Sequence, residues 1–151
     1  MTTHTDPKIL IIEDSPTLAL TYQAYLKPLS SHITLADTGQ KGLDIMAREA
    51  PHLLILDLML PDMNGLDILQ KMQKSGATTK VIVITAHGSM ATAIKAMRFG
   101  ATDYLGKPFN AERLLTTAKN TLELQRLGEI VQSYKGESDK GYGNFIGESP
   151  A

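Results

Sequence analysis

The chain has no cysteine and no tryptophan among its 151 residues. Without cysteine there can be no disulfide, no thiolate nucleophile and no cysteine-based zinc site. That absence suits a reducing compartment, so a cytoplasmic location is expected. Neither sign of charge is in excess. Fifteen basic and sixteen acidic residues leave a formal charge of -1, which provides no basic field to recruit nucleic acid. No apolar stretch approaches the roughly 18 residues that a membrane span needs. The polar opening, Met1 to Pro7, lacks the apolar core of a signal peptide and reads as a disordered N-terminus. The histidines His4, His32, His52 and His87 form no pair at metal-ligand spacing, and no Gly-x-Ser-x-Gly elbow occurs.

What the chain does have is a set of short runs rich in Ile, Leu and Val, each ending in polar side chains. Ile9 to Ile12 lead into Glu13 and Asp14, Leu53 to Leu56 into Asp57, and Val81 to Ile84 into Thr85. A fourth run around Asp103-Tyr104-Leu105 is followed by Gly106, Lys107 and Pro108. Runs of about four residues without polar alternation are read as strands buried on both faces, which belong to parallel sheets. Ser31 to Ala36 supplies a further strand.

Helical segments lie between the runs. Ser15-Pro16 marks the start of one that reaches about Lys27, where Pro28 stops it. Thr38 caps a second, closed by Pro51, and Asn64-Gly65 opens a third that stops at Ser75-Gly76. Ser89 to Phe99 reads as a fourth, and Asn110 caps a fifth. The order βαβαβαβαβα specifies a doubly wound α/β fold with helices on both faces. In the strand order 2-1-3-4-5 the switch point lies between the first and third strands, where Glu13, Asp14 and Asp57 end their runs. Beyond Leu127 the spacing of Leu124, Leu127, Val131 and Tyr134 extends the fifth helix. A solvated surface helix and a homodimer contact both fit that stripe. Lys135 to Ala151, with Gly136, Gly141, Gly143 and Gly147, reads as linker or disordered tail.

Three carboxylates brought into contact repel one another unless a proton or a cation sits among them. Oxygen-only ligands suit Mg²⁺. A carboxylate can also attack phosphorus and form an acyl phosphate, and Asp57, on the central strand, is the best nucleophile candidate. Lys107 would supply positive charge and Thr85 a hydrogen-bond donor to a phosphoryl group. Each residue alone has a plainer reading: Asp14 as a helix-capping aid, Glu13 and Lys107 as solvated charges, Thr85 as an ordinary strand residue. Their joint placement on successive strand ends is what argues for function. The segment Gly100 to Lys107 imitates a phosphate-binding loop, but five residues separate its glycines and Pro108 replaces the expected Ser or Thr.

The pattern Glu13-Asp14, Asp57-Leu-Met-Leu-Pro61-Asp-Met-Asn-Gly65, Thr85-Ala86 and Lys107-Pro108 resembles the receiver domain of two-component response regulators. The likeness covers about residues 8 to 127, leaving 128 to 151 as helical extension and linker. It implies a flavodoxin-like (CheY-like) five-stranded sheet, with Mg²⁺ held by Glu13, Asp14, Asp57 and the backbone carbonyl of Met59. Asp57 would take phosphate from a sensor histidine kinase or a histidine phosphotransfer protein. Thr85 and Lys107 would hold the phosphoryl group, Tyr104 would be the switch partner of Thr85, and Lys107-Pro108 is often cis in the family. The tail Asn144 to Pro150 resembles the entry into the ATPase domain of NtrC-like sigma-54-dependent activators, and Tyr25 to Leu29 and Thr85 to Ser89 are similar to quorum-sensing members of that subfamily. The chain then reads as the regulatory part of a longer protein with ATPase and DNA-binding domains of its own. On this reading it is a switch acting through the face from about His87 to Tyr104, and not an enzyme. Met59 and His87, two residues beyond Asp57 and Thr85, would flank the path of hydrolytic water. Two alternatives are a haloacid-dehalogenase-like phosphatase, which wants a second Asp where Met59 stands, and a protein-binding module that is never phosphorylated.

Overall fold

The computed structural model describes residues 6–86 and 90–148, with side chains as far as Ile130. The apolar runs form five strands: β1 (Lys8–Ile12), β2 (His32–Ala36), β3 (Leu53–Asp57), β4 (Lys80–Thr85) and β5 (Asp103–Gly106). They make one parallel sheet, as the alternation of strand and helix predicts, in the expected order β2-β1-β3-β4-β5. β3 is buried at every position because it is central and covered on both faces.

The helices are α1 (Pro16–Leu26), α2 (Gly39–Glu49), α3 (Gly65–Ser75), α4 (Met90–Arg98) and α5 (Ala111–Glu148). Their ends follow local chemistry. The Ser15 hydroxyl accepts from the Leu18 amide at 3.3 Å, Thr38 from Lys41 at 3.1 Å, and Asn64 from Leu66 at 2.9 Å. Asn110 accepts from Arg113 at 2.8 Å and so caps α5. Gly76 closes α3 with a φ of 74°, a left-handed conformation that favours glycine. The expected start of α4 at Ser89 lies outside the described residues, as do residues 1–5 of the expected disordered N-terminus.

Two cores flank the sheet. Leu10, Ile12, Leu54, Leu56 and Val83 pack against α2, α3 and α4 through Leu43, Leu69 and Ala96. Ile9, Ile11, Ile55, Ile82 and Leu105 pack against α1 and α5 through Tyr22, Leu26, Leu114 and Ala118. Each fully buried aliphatic side chain contributes about 1.5–3 kcal/mol of transfer free energy. α2 approaches the sheet at Gly42, where a Cβ would lie 2.2 Å from the Ile12 side chain.

The chain departs from expectation after Lys135. The stretch read as a glycine-rich linker or disordered tail continues α5 as helical backbone through Glu148. A helix already nucleated by the packed turns from Leu114 to Gln125 adds further turns more easily than a new one starts. Each glycine still disfavours that continuation by about 1 kcal/mol relative to alanine.

Candidate functional site

The carboxyl edge of the sheet brings four of the expected residues together. β1 ends at Ile12, and the Glu13 amide still donates to the Ala36 carbonyl at 3.0 Å before the chain turns into α1. That turn folds the Glu13 side chain inward, where its Oε2 accepts from the Ser15 amide at 3.1 Å. Asp14 faces solvent. Asp57, the last residue of β3, is only 5% exposed, and its Oδ1 accepts from the Met59 amide at 2.9 Å. Carboxylate oxygens of Glu13, Asp14 and Asp57 all lie within 4.8 Å of one another. From the loop after β5, Lys107 Nζ reaches Asp57 Oδ2 at 3.2 Å and stands 3.9 Å from Glu13 Oε1.

One cation does not balance three carboxylates. Burial, followed by the adjacent Asp57 carboxylate, pushes the Glu13 carboxyl up to about 8, while the Ser15 amide and Lys107 act in the opposite direction. Glu13 Oε1 is buried and has no hydrogen-bond partner among the described residues. A buried acceptor without a donor carries a desolvation penalty of about 1–3 kcal/mol. A hard divalent cation bound by the three carboxylates satisfies that atom and removes the repulsion, so the donor set fits a metal such as Mg²⁺. Behind the cluster, Tyr22 is buried, and desolvation followed by the Glu13 and Asp57 charges raises its phenol well above the usual value.

Thr85 and Tyr104 stand one step away. Thr85 is buried at the end of β4, its hydroxyl donating to the Leu105 carbonyl at a long 3.5 Å. Its carbonyl accepts from the Lys107 amide at 2.9 Å, which ties the end of β4 to the loop carrying the lysine. Thr85 pairs with Gly106, and Val83 with Tyr104, so both candidate switch residues face the α4 side of the sheet. The Tyr104 hydroxyl points to the Met90 sulfur at 3.8 Å, away from the carboxylates. The Met59 side chain is 75% exposed, and its amide is what touches Asp57. Lys107-Pro108 is cis. His87 lies outside the described residues.

Three contacts around the site escape sequence reasoning. Gly65 carries no Cβ because one would lie 2.7 Å from the Leu58 Cα, so α3 can start directly under the loop that follows Asp57. Tyr22 stacks on Phe109 with ring centroids 5.4 Å apart, joining α1 to the segment just after Lys107. Asp62 accepts from the amides of Gly39 and Gln40, more than twenty positions earlier. None of these pairings has a local signal. The glycine after Asn64 is the nearest to one, since it marks a helix start.

Comparison with known proteins agrees with this geometry. Residues 9–119 match the response regulator receiver domain family. The luminescence regulatory protein LuxO of Vibrio campbellii is 37% identical over 139 residues, covering 92% of this chain and 30% of its own length. Among solved structures, the signal receiver domain of a LuxO repressor protein from Vibrio parahaemolyticus is 39% identical, with a TM-score of 0.80 over 84% of this chain and 98% of that one. NtrX from Brucella abortus is 29% identical, with a TM-score of 0.79 over 85% of this chain and 29% of its own. A match over most of the chain, with the acidic cluster at the switch point of the sheet, makes this protein a member of the response regulator receiver domain family.

Proposed function

We propose that the protein is a phosphoryl-accepting switch in which Asp57 is the acceptor and Mg²⁺ the required cation. The observation that carries this reading is the set of three carboxylates within 4.8 Å, faced by a lysine 3.2 Å from the central one. An Asp57 carboxylate oxygen forms the bond to phosphorus, the bond from phosphorus to the donor breaks, and the donor keeps the electron pair. The product is an acyl phosphate. When bound, Mg²⁺ supplies positive charge that offsets the carboxylates and the incoming phosphoryl oxygens. Glu13 and Asp14 hold it, together with Asp57 and the carbonyl of Met59. Lys107, at the open edge of the cluster, pairs with the transferred group, and Thr85 turns its hydroxyl from Leu105 towards it.

Turning Thr85 vacates space on the α4 side, which Tyr104 can fill by leaving Met90. Two packings biased by one local charge make a population shift. Met90, Ile94 and Met97 are large, exposed apolar residues on α4, a surface able to change partner with that shift. The donor is a sensor histidine kinase or a histidine phosphotransfer protein. The chain spans 30% of the length of LuxO, and we read residues 8–127 as the receiver and 128–151 as the lead into ATPase and DNA-binding domains of a sigma-54-type activator. A homodimer is a further partner on this reading, and no enzymatic turnover is assigned.

Incubation with a small phosphodonor, followed by intact mass measurement, tests the acceptor. One phosphoryl group is expected on the wild type with Mg²⁺, little without it, and none on Asp57→Asn. Equal labelling of the Asn variant would show that another residue is the acceptor. Steady release of phosphate from a monoester would favour a phosphatase instead.

A further inference from the structure

The loop between Asp57 and Gly65 is tied on both sides, and its outer tie has no part in the scheme above. On the inner side the Met59 amide donates to Asp57, Met59 pairs with Asn64 across an antiparallel bridge, and the Gly65 amide donates to the Leu58 carbonyl at 3.0 Å. On the outer side both carboxylate oxygens of Asp62 are used. Oδ1 accepts from the Gly39 amide at 2.8 Å and Oδ2 from the Gln40 amide at 2.9 Å, the first two residues of α2. Those amides are among the donors that a helix start leaves unpaired, and Thr38 already serves Lys41.

A second contact joins the same two segments. Gly39 lies so close to Met63 that a Cβ there would be 2.5 Å from the methionine Cγ, and Met63 packs on the core under α2. α2 in turn rests on β1 where Gly42 meets Ile12, immediately before Glu13. A continuous chain of contacts therefore runs from Asp57 through the loop, Asp62, α2 and β1 to Glu13. It fixes the Met59 backbone relative to the acidic cluster by a route separate from the Met59–Asp57 hydrogen bond.

We propose that Asp62 is a positioning residue for cation binding: it clamps the 58–64 loop to the start of α2 and so holds the Met59 backbone in place beside Glu13, Asp14 and Asp57. This rests on the reading of the cluster as a Mg²⁺ site. Asp62 is not itself a ligand. Its carboxylate is fully engaged by α2, and those two amides hold it below the ordinary carboxylate range.

The test is a Mg²⁺ titration of the whole chain, followed by amide NMR, on four proteins: wild type, Asp62→Asn, Asp62→Ala and Thr38→Ala. The Ala variant at position 62 should bind Mg²⁺ about fivefold more weakly, less than the roughly 10–100-fold seen for partners that contact metal ligands directly. The Asn variant keeps one acceptor oxygen and should fall between it and the wild type. It also stands in if the Ala variant does not fold. Thr38→Ala removes the cap of α2 without touching the loop, so it should lower Tm and leave the affinity unchanged. Wild-type affinity in both Asp62 variants overturns the proposal, and so does an equal loss in Thr38→Ala, because α2 stability alone would then explain the effect. If the wild type binds no Mg²⁺, the reading of the cluster fails and takes the clamp with it.

Discussion

The carboxyl edge of the sheet and the α4–β5 face lie a few residues apart but are held very differently. At the edge several polar groups have short, directional partners, Ser15 on Glu13, Met59 and Lys107 on Asp57, and Asp62 on α2, and the orphaned Glu13 Oε1 is left for a cation. On the neighbouring face the Thr85 hydroxyl is kept by a single 3.5 Å bond and the Tyr104 hydroxyl by a sulfur at 3.8 Å. Thioether sulfur is a weak acceptor, so little free energy opposes the release of Tyr104. Preorganisation belongs where the chemistry occurs, and looseness where the outcome is read. A local charge can shift a population only if the two packings differ by a few kcal/mol.

The largest effect that could break this contrast comes from Thr85→Ala. The edge remains intact in that variant, so Asp57 should still take up a phosphoryl group, while the spectral change of α4 and β5 should disappear. Amide NMR with and without phosphodonor checks both halves. A full α4 response in the variant would remove Thr85 from the pathway.

Next in size is the pH dependence of the metal-free protein. The Glu13 carboxyl rises from 4.5 to about 8 on folding, so the folded form keeps a proton that the unfolded chain releases. The stability contributed by this carboxyl is therefore fully present below about 4.5, declines as pH rises towards 8, and is lost above it. The slope from this one group is at most about 1.4 kcal/mol per pH unit. Urea denaturation across this range should show the decline in the wild type and a flatter profile in Glu13→Gln. Saturating Mg²⁺ should flatten the wild-type profile too, because the cation replaces the proton. Identical profiles for both proteins without metal would mean that the cluster is not strained.

The smallest effect concerns the exposed Met59 side chain, which is apolar and stands two residues beyond Asp57. Met59→Asn should shorten the lifetime of the acyl phosphate by a small factor, followed as loss of the phosphoryl mass with time. An unchanged lifetime would leave the side chain without a role in water access.

Much of this was legible before the structure. Ile9 to Ile12 and Leu53 to Leu56 read as buried parallel strands and are so, and Ser15, Thr38, Asn64 and Asn110 each cap the helix that their position announces. The cluster followed from strand order, since parallel neighbours bring their ends to one edge. The parts that were not legible depend on long-range contact. Asp62 stands unremarked in the motif after Pro61, and nothing near it in the sequence points to Gly39. Tyr22 carries no signal of its own within the first helical segment, although it feels the Glu13 and Asp57 charges. The continuation of α5 past Lys135 runs against its glycines and reflects a helix seeded elsewhere.

The most direct test of a fixed edge coupled to a loose face is hydrogen–deuterium exchange with Mg²⁺, with and without a phosphodonor, in the wild type and in Asp57→Asn. The account predicts a large change over residues 90–106, a small one over 58–65, and none in the Asn variant. A change confined to 58–65, or an equal change in Asp57→Asn, would contradict it.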